Sequence, residues 1–294
     1  MTQLLQDLIL GLLLGSVYAL VAGGLTLIFG VMRVINIAQG AFLVLAAFLT
    51  YTVWQGLGID PLLAILITTP VMFGLGWLTY RVTIAPIRTA PMASTVLLTF
   101  GLALVLEAAM GTIWGNDSTA IRPSYANESF TFAGLYLPKT QVYGGIVALL
   151  VLAGLGLLLG RTWLGRAIRA AAGNPAGAEL IGIKVKAVAA MVFALGIATA
   201  GAGGAVVGVM YPFVAGSHYQ WIARLLAIVV LGGMGSVAGA IAGAAVFGVA
   251  ETLTAAYVSP SWATAVPYAI VFVVLLVRPQ GLLGTRLRED VVSP

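Results

Sequence analysis

Nine apolar stretches, at 8–29, 37–54, 61–80, 92–112, 142–160, 187–210, 222–234, 236–254 and 262–277, each carry at most one charged side chain. About 20 such residues in a helix cross the hydrocarbon of a bilayer. A spanning backbone must satisfy its own hydrogen bonds, so each stretch is expected to be helical. The strand alternation of an outer-membrane barrel is missing. Charged residues make up 8% of the 294 and hydrophobic ones 61%, whereas soluble domains carry about 25% charge. A water-soluble globule, a disordered chain and a disulfide scaffold are all excluded by that deficit. The chain reads as an all-α polytopic membrane protein of one domain, 1–294, with about nine membrane segments and broken or re-entrant helices. Counts of eight to ten fit the same pattern, since 222–234 is short enough to dip in and return.

Basic residues choose the sides of such a protein. The 161–186 segment carries Arg161, Arg166, Arg169, Lys184 and Lys186 against one acid, Glu179. Arg81 and Arg88 follow the third stretch, and Arg278, Arg286 and Arg288 lie in the tail. These regions are expected to be cytoplasmic. The polar loop 113–141 balances Arg122 and Lys139 against Asp117 and Glu128 and is expected to face outward. The N-terminus is then outside and the C-terminus inside. Met1–Asp7 holds no Lys or Arg, so the first stretch reads as a retained span rather than a cleaved leader.

Small residues recur every fourth position at Gly196, Ala200, Gly204 and Gly208, and again at Gly235, Gly239 and Gly243, forming ridges that let helices approach closely. Two stretches interrupt the helical pattern. Residues 30–40 (GVMRVINIAQG) place Arg33, Asn36 and Gln39 between Gly30 and Gly40; residues 232–239 (GGMGSVAG) hold Gly232, Gly233 and Gly235. Either they are ordinary turns at the membrane surface, or they are broken helices that act as hinges or line a path.

Intramembrane carboxylates mark function by default. Glu107 and Glu251 sit inside apolar runs, about one turn from the outer ends of their helices, where a path-lining role competes with pairing to a base such as Arg224. Thr95 and Thr99 lie four apart on one helix face and either line a polar path or back-bond to their own helix. His218, the single histidine, falls in a short outer loop and is expected to be solvated. Enzyme signatures fail: no GxxxxGK[ST] phosphate loop, HExxH pair or GxSxG elbow occurs. With no cysteine and one histidine, no metal site is expected, and no basic–aromatic run points to nucleic acid.

Within 161–186, Asn174 suits an N-cap, Pro175 the first helical position and Gly182 a left-handed cap, which predicts a short helix over 175–181 presenting Ala178, Leu180 and Ile181. Such a helix fits a groove on a partner protein or lies on anionic lipid.

Four segments carry a resemblance: GSVYALVAGGLTLIFGVMRVINIAQGAF (15–42), GRAIRAAAGNPAGAELIGI (165–183), VLGGMGSVAGAIAGA (230–244) and RPQGLLG (278–284). In this order they resemble the permease subunits of bacterial branched-chain amino acid ABC transporters, of the LivH type. The resemblance implies an inner-membrane translocation subunit and no cofactor on this chain, with ATP and Mg²⁺ on a partner. The implied partners are a second related permease, two cytoplasmic ATPases and a periplasmic binding protein. The helix between Asn174 and Gly182, with Pro175, Ala178 and Glu179, is then the coupling helix, flanked by Arg166 and Arg169. Many relatives carry histidine where this chain has Gln39, and relatives are also associated with urea, short amides and aromatic acids. A stand-alone secondary transporter is the rival class.

Overall fold

The computed structural model describes residues 2–87 and 91–284, so Arg88, Arg286 and Arg288 lie outside the described residues. Each of the nine apolar stretches coincides with a helix. Seven are long and apolar enough to cross a membrane: α1 (Thr2–Met32), α2 (Gln39–Leu57), α3 (Ile65–Thr79, continued by a π-helical turn, Tyr80–Ile84), α4 (Met92–Trp114), α5 (Lys139–Arg161), α8 (Val185–Met210) and α10 (Val237–Tyr257). The remaining two apolar helices, α9 (His218–Gly232) and α11 (Ala265–Val277), have 15 and 13 residues. At about 1.5 Å per residue they reach roughly 20 Å, short of a bilayer's hydrocarbon. Two further helices, α6 (Trp163–Gly173) and α7 (Pro175–Leu180), occupy the basic segment. The polar loop contains a hairpin of β1 (Ser129–Phe132) and β2 (Leu135–Pro138). Its two-residue turn, Ala133–Gly134, has both φ values positive, the geometry that matches the twist of paired strands.

The core is built around α1 and α8. Helix α8 is buried along most of its length, and α1, α2 and α3 pack against it. The four-residue ridges make this possible. A Cβ on Gly204 would run into the Leu43 carbonyl of α2, and Gly196 faces Gly24 of α1. The most extensive packing is that of α1 on α10, where Gly11 and Gly15 lie against Gly248 and Ala244. Dispersion between backbones in direct contact, rather than apolar transfer, holds such helices together in lipid. By contrast α3, α4 and α5 leave Leu66, Leu97, Val105 and Leu150 exposed, the surface that lipid or a partner covers.

The two interruptions meet at one end of the bundle. Gly30 of α1 approaches Gly235 in the α9–α10 turn. There Gly233 and Gly235 take φ values of +104° and +87°, and Ser236 caps α10 by accepting from the Gly239 amide. The 278–284 segment folds back onto the same turn. Leu282 and Leu283 donate to the carbonyls of Leu231 and Gly232, which the end of α9 would otherwise leave unpaired. At the opposite end Tyr125 donates to Asp60 across 3.2 Å, and burial together with that carboxylate pushes its phenol above the ordinary range.

A methyl group at Gly248 would lie 2.6 Å from the Gly11 carbonyl oxygen, whereas Gly74 faces open space. Gly248→Ala is therefore expected to destabilise the purified chain by about 1–3 kcal/mol. Gly74→Ala should leave it unchanged or slightly firmer. Thermal unfolding in detergent measures both.

Candidate functional site

The 33–38 break is not an ordinary surface turn. After Met32 the chain leaves helical geometry, with Arg33 exposed and held at φ +56°. It then turns back into the protein, burying Asn36 and Gln39 completely. Asn36 Nδ2 donates to Gln39 Oε1 at 3.1 Å, and Gln39 Nε2 donates to the Gly196 carbonyl at 2.9 Å, near the middle of α8. Thr99 of α4 completes the set. Its hydroxyl accepts from the Ile37 amide and lies within hydrogen-bond distance of the Ile35 and Val96 carbonyls. Thr95, one turn away, back-bonds to the Met92 carbonyl. The Asn36 Oδ1 atom is buried without a hydrogen-bond partner. A break at this depth is tolerable because neighbouring side chains take over the freed backbone groups.

A second break reaches the same level from the other side. Helix α9 has only 15 residues and ends beside Gly30, so its start lies about 22 Å from that end, well below the far end of the 26-residue α8. Residues 211–217 must therefore re-enter the bundle, and they do so with Phe213 paired to Thr119 and a short 3₁₀ turn at Ala215–Ser217. His218, expected in a solvated outer loop, instead opens α9 in the interior and is 1% exposed. A Cβ on Gly40, the second residue of α2, would lie 2.5 Å from its carbonyl oxygen. The starts of α2 and α9 thus abut.

Glu107 belongs to this junction. His218 Nε2 lies 3.0 Å from Glu107 Oε2, and the Tyr219 hydroxyl donates to the same oxygen at 3.0 Å. Glu107 stands two turns, not one, from the end of α4. The signal was present in the sequence: Thr95, Thr99, Ala103 and Glu107 repeat every four residues and form one stripe of α4.

Glu251 is separate from that stripe. Arg224 Nη2 donates to its Oε1 at 3.1 Å, the Tyr18 hydroxyl to Oε2 at 2.9 Å, and the guanidinium lies over the rings of Tyr18 and Trp221. Both charged side chains are 15% exposed. The expected pairing of a carboxylate with Arg224 thus holds for Glu251, while Glu107 takes His218.

The basic segment differs from expectation in one respect. Asn174 Oδ1 accepts from the Gly177 amide, and Gly182, at φ +85°, closes α7 with its amide on Glu179 and that of Ile183 on Ala178. But Ala178 does not face outward. It is 3% exposed and packs in a separate apolar cluster with Leu27, Ile168, Ala171, Ile183 and Val192. Its small side chain is what lets α7 lie flat on the bundle, while Leu180 and Ile181 are 90% and 75% exposed. Arg166 and Arg169 are exposed on α6, an amphipathic helix that buries Ala167, Ile168 and Ala171. Behind α7 lies a cavity of about 320 Å³ walled by Met32, Tyr80, Ile84, Pro175, Glu179 and Lys186.

Removing one member of a buried ion pair strands the other charge. Arg224→Leu and Glu251→Leu are each expected to lower stability by about 3 kcal/mol, and the double variant by far less than the sum. A double-mutant cycle on thermal unfolding reads that difference.

Comparison with known proteins places this arrangement. A family model described as the permease component of the branched-chain amino acid transport system matches residues 8–275. The high-affinity branched-chain amino acid transport system permease protein LivH of Salmonella typhimurium is 31% identical over 95% of each chain. Its counterpart of the same name in Escherichia coli is 30% identical, and BraD of Pseudomonas aeruginosa 31%, again over 95% of each chain. No solved structure gives a significant match. The chain belongs to the branched-chain amino acid transport permease family, as a multi-pass membrane transport subunit and not an enzyme.

Proposed function

We propose that this chain forms half of the translocation pathway of an ATP-driven importer of branched-chain amino acids, in a bacterial inner membrane. Family membership over nearly the whole chain carries the reading. In this reading the chain pairs with a second, related permease, receives substrate from a periplasmic binding protein and rests on two cytoplasmic ATPases that hold ATP and Mg²⁺. The basic segments define the cytoplasmic side, with the N-terminus and the hairpin loop outside.

Coupling runs through α6 and α7. Two large apolar side chains, Leu180 and Ile181, stand exposed on a rigid, doubly capped turn, with Arg166 and Arg169 on the neighbouring helix. In water this pattern suits a groove on a partner protein, with the basic side chains meeting acidic residues around it. Ala178 then serves as the seat of the helix on the bundle rather than as a docking contact. Its apolar cluster includes Leu27 of α1, one turn before Gly30. A push on α7 is thereby delivered to the segment leading into the 33–38 break. The glycines at Gly30, Gly40, Gly232, Gly233 and Gly235 supply close contacts or left-handed turns around which the helices rock. Thr95, Thr99 and Glu107 line the path along α4 with Asn36 and Gln39 beside them, and Glu251 braces the neighbouring helices. An aliphatic zwitterion suits a path with few fixed charges.

Ile181→Glu is expected to cut ATP-driven leucine uptake by an order of magnitude or more, because it places a charge at the centre of the docking contact. The variant should still reach the membrane, since residue 181 does not contribute to the core. Uptake in liposomes and quantitation of the permease in membranes test this together. Unchanged uptake would remove α7 from the coupling role, and uptake without any ATPase would establish a secondary transporter instead.

A further inference from the structure

We propose that Glu107 receives the ammonium group of the transported amino acid, with its carboxylate held in position by His218 and Tyr219. The inference rests on the reading of the chain as an amino-acid permease and assigns the charge-recognising residue within it.

Position comes first. Glu107 stands four residues beyond Ala103, the midpoint of α4, which is about 6 Å along a helix axis. With α4 centred in the bilayer, that lies inside a hydrocarbon layer whose half-thickness is about 15 Å. Yet its side chain is 29% exposed. A carboxylate turned to lipid at that depth costs about 3 kcal/mol. The face bearing Glu107 therefore opens onto water or a partner, and in a permease that is the translocation path.

The second consideration is what the carboxylate still lacks. Both of its hydrogen-bond donors, His218 Nε2 and the Tyr219 hydroxyl, converge on Oε2. The other oxygen, Oε1, faces Gly216, where even a single Cβ would come within 3.4 Å. The protein thus orients the group with one oxygen and presents the other. Among the described residues no Lys or Arg pairs with Glu107, whose one basic neighbour is the imidazole of His218. Glu251 makes the contrast plain: Arg224 and Tyr18 engage both of its oxygens. One intramembrane carboxylate is neutralised within the chain, and the other waits for a cation.

The chemistry of that cation is narrowed by the surroundings. No group of three His, Cys, Asp or Glu side chains capable of holding a metal ion occurs among the described residues. A primary ammonium needs less. Its three N–H donors are served by one carboxylate oxygen and a nearby hydroxyl, and Tyr219, 45% exposed, offers its own oxygen beside Glu107. Charge-assisted bonds of this kind are about twice as strong as neutral ones. A site holding a single carboxylate also discriminates against the analogue that lacks the ammonium, because the carboxylate is then left unpaired.

The natural sequence contains no cysteine, so Gly216→Cys places the chain's only thiol beside Oε1. In the complete importer reconstituted in liposomes with binding protein and ATP, leucine is expected to slow maleimide alkylation of that thiol several-fold. The 2-hydroxy analogue of leucine should give no protection, and adding Glu107→Gln should abolish protection by leucine. Glu107→Gln alone is expected to reduce leucine uptake at least tenfold, with partial recovery in Glu107→Asp. Leu104→Cys, exposed one turn before Glu107 on α4, is the second reporter if Gly216→Cys does not transport. Protection that survives Glu107→Gln, or alkylation indifferent to leucine in a complex that transports it, overturns the assignment and leaves the importer reading intact. A wild-type importer that takes up no amino acid overturns both.

Discussion

Inside a bilayer a backbone amide or carbonyl has no water to turn to, and the arrangement of this permease follows from how it meets that demand where its helices stop. Both interruptions, at 33–38 and 211–217, lie within the body of the protein and would strand several polar groups. The chain answers with side-chain and backbone groups from distant segments. Thr99 serves the backbone of 35–37, Gln39 reaches the Gly196 carbonyl, and Thr119 pairs with Phe213. These bonds tie α2, α4, α8 and α9 to one level of the bundle. Polar residues collect there because the breaks require them, and a polar level across an apolar bundle is what a hydrophilic solute needs in order to cross.

Glycine determines how closely that level is enclosed. At Gly11–Gly248 and Gly24–Gly196 the backbone of α1 comes into direct contact with those of α10 and α8. Such contacts are stiff within a helix pair, yet they carry no interlocking knobs and so permit one helix to slide past another. The stripe of α4 is held differently. It meets the core through Thr95, Thr99 and Ala103, while its other faces are open. The least enclosed helix therefore carries the exposed carboxylate.

Much of the fold was legible because it is written locally. Apolar runs mark nine of the eleven α-helices among the described residues, and Asn174, Pro175 and Gly182 mark both ends of α7, since caps depend only on near neighbours in sequence. The errors arose where depth and facing depend on the whole bundle. His218 looked like a loop residue because the apolar run began at 222; only the shortness of α9 relative to α8 shows that its start must lie inside. Ala178 was grouped with Leu180 and Ile181 as apolar, and residue type does not say which side of a six-residue helix meets the bundle. Arg224 was a sound partner for a buried carboxylate, but the choice between Glu107 and Glu251 rests on contacts between residues more than 25 positions apart. Helix α6 went unread because its apolar face is made of alanine and one isoleucine, a weak signal between two arginines.

The strap formed by 278–284 has a consequence of its own. By donating to the last carbonyls of α9, Leu282 and Leu283 bind the end of the chain to the same turn that touches Gly30. Three segments far apart in sequence thus share one fulcrum. If the proposed rocking pivots there, tilting α1 would carry the α9–α10 hairpin, and α11 behind it, as one lever. A permease jointed in this way has few independent degrees of freedom. In the proposed importer, a small displacement of a surface helix would then be returned as a coordinated change at the level where α2 and α9 begin, instead of being dissipated among loosely connected spans.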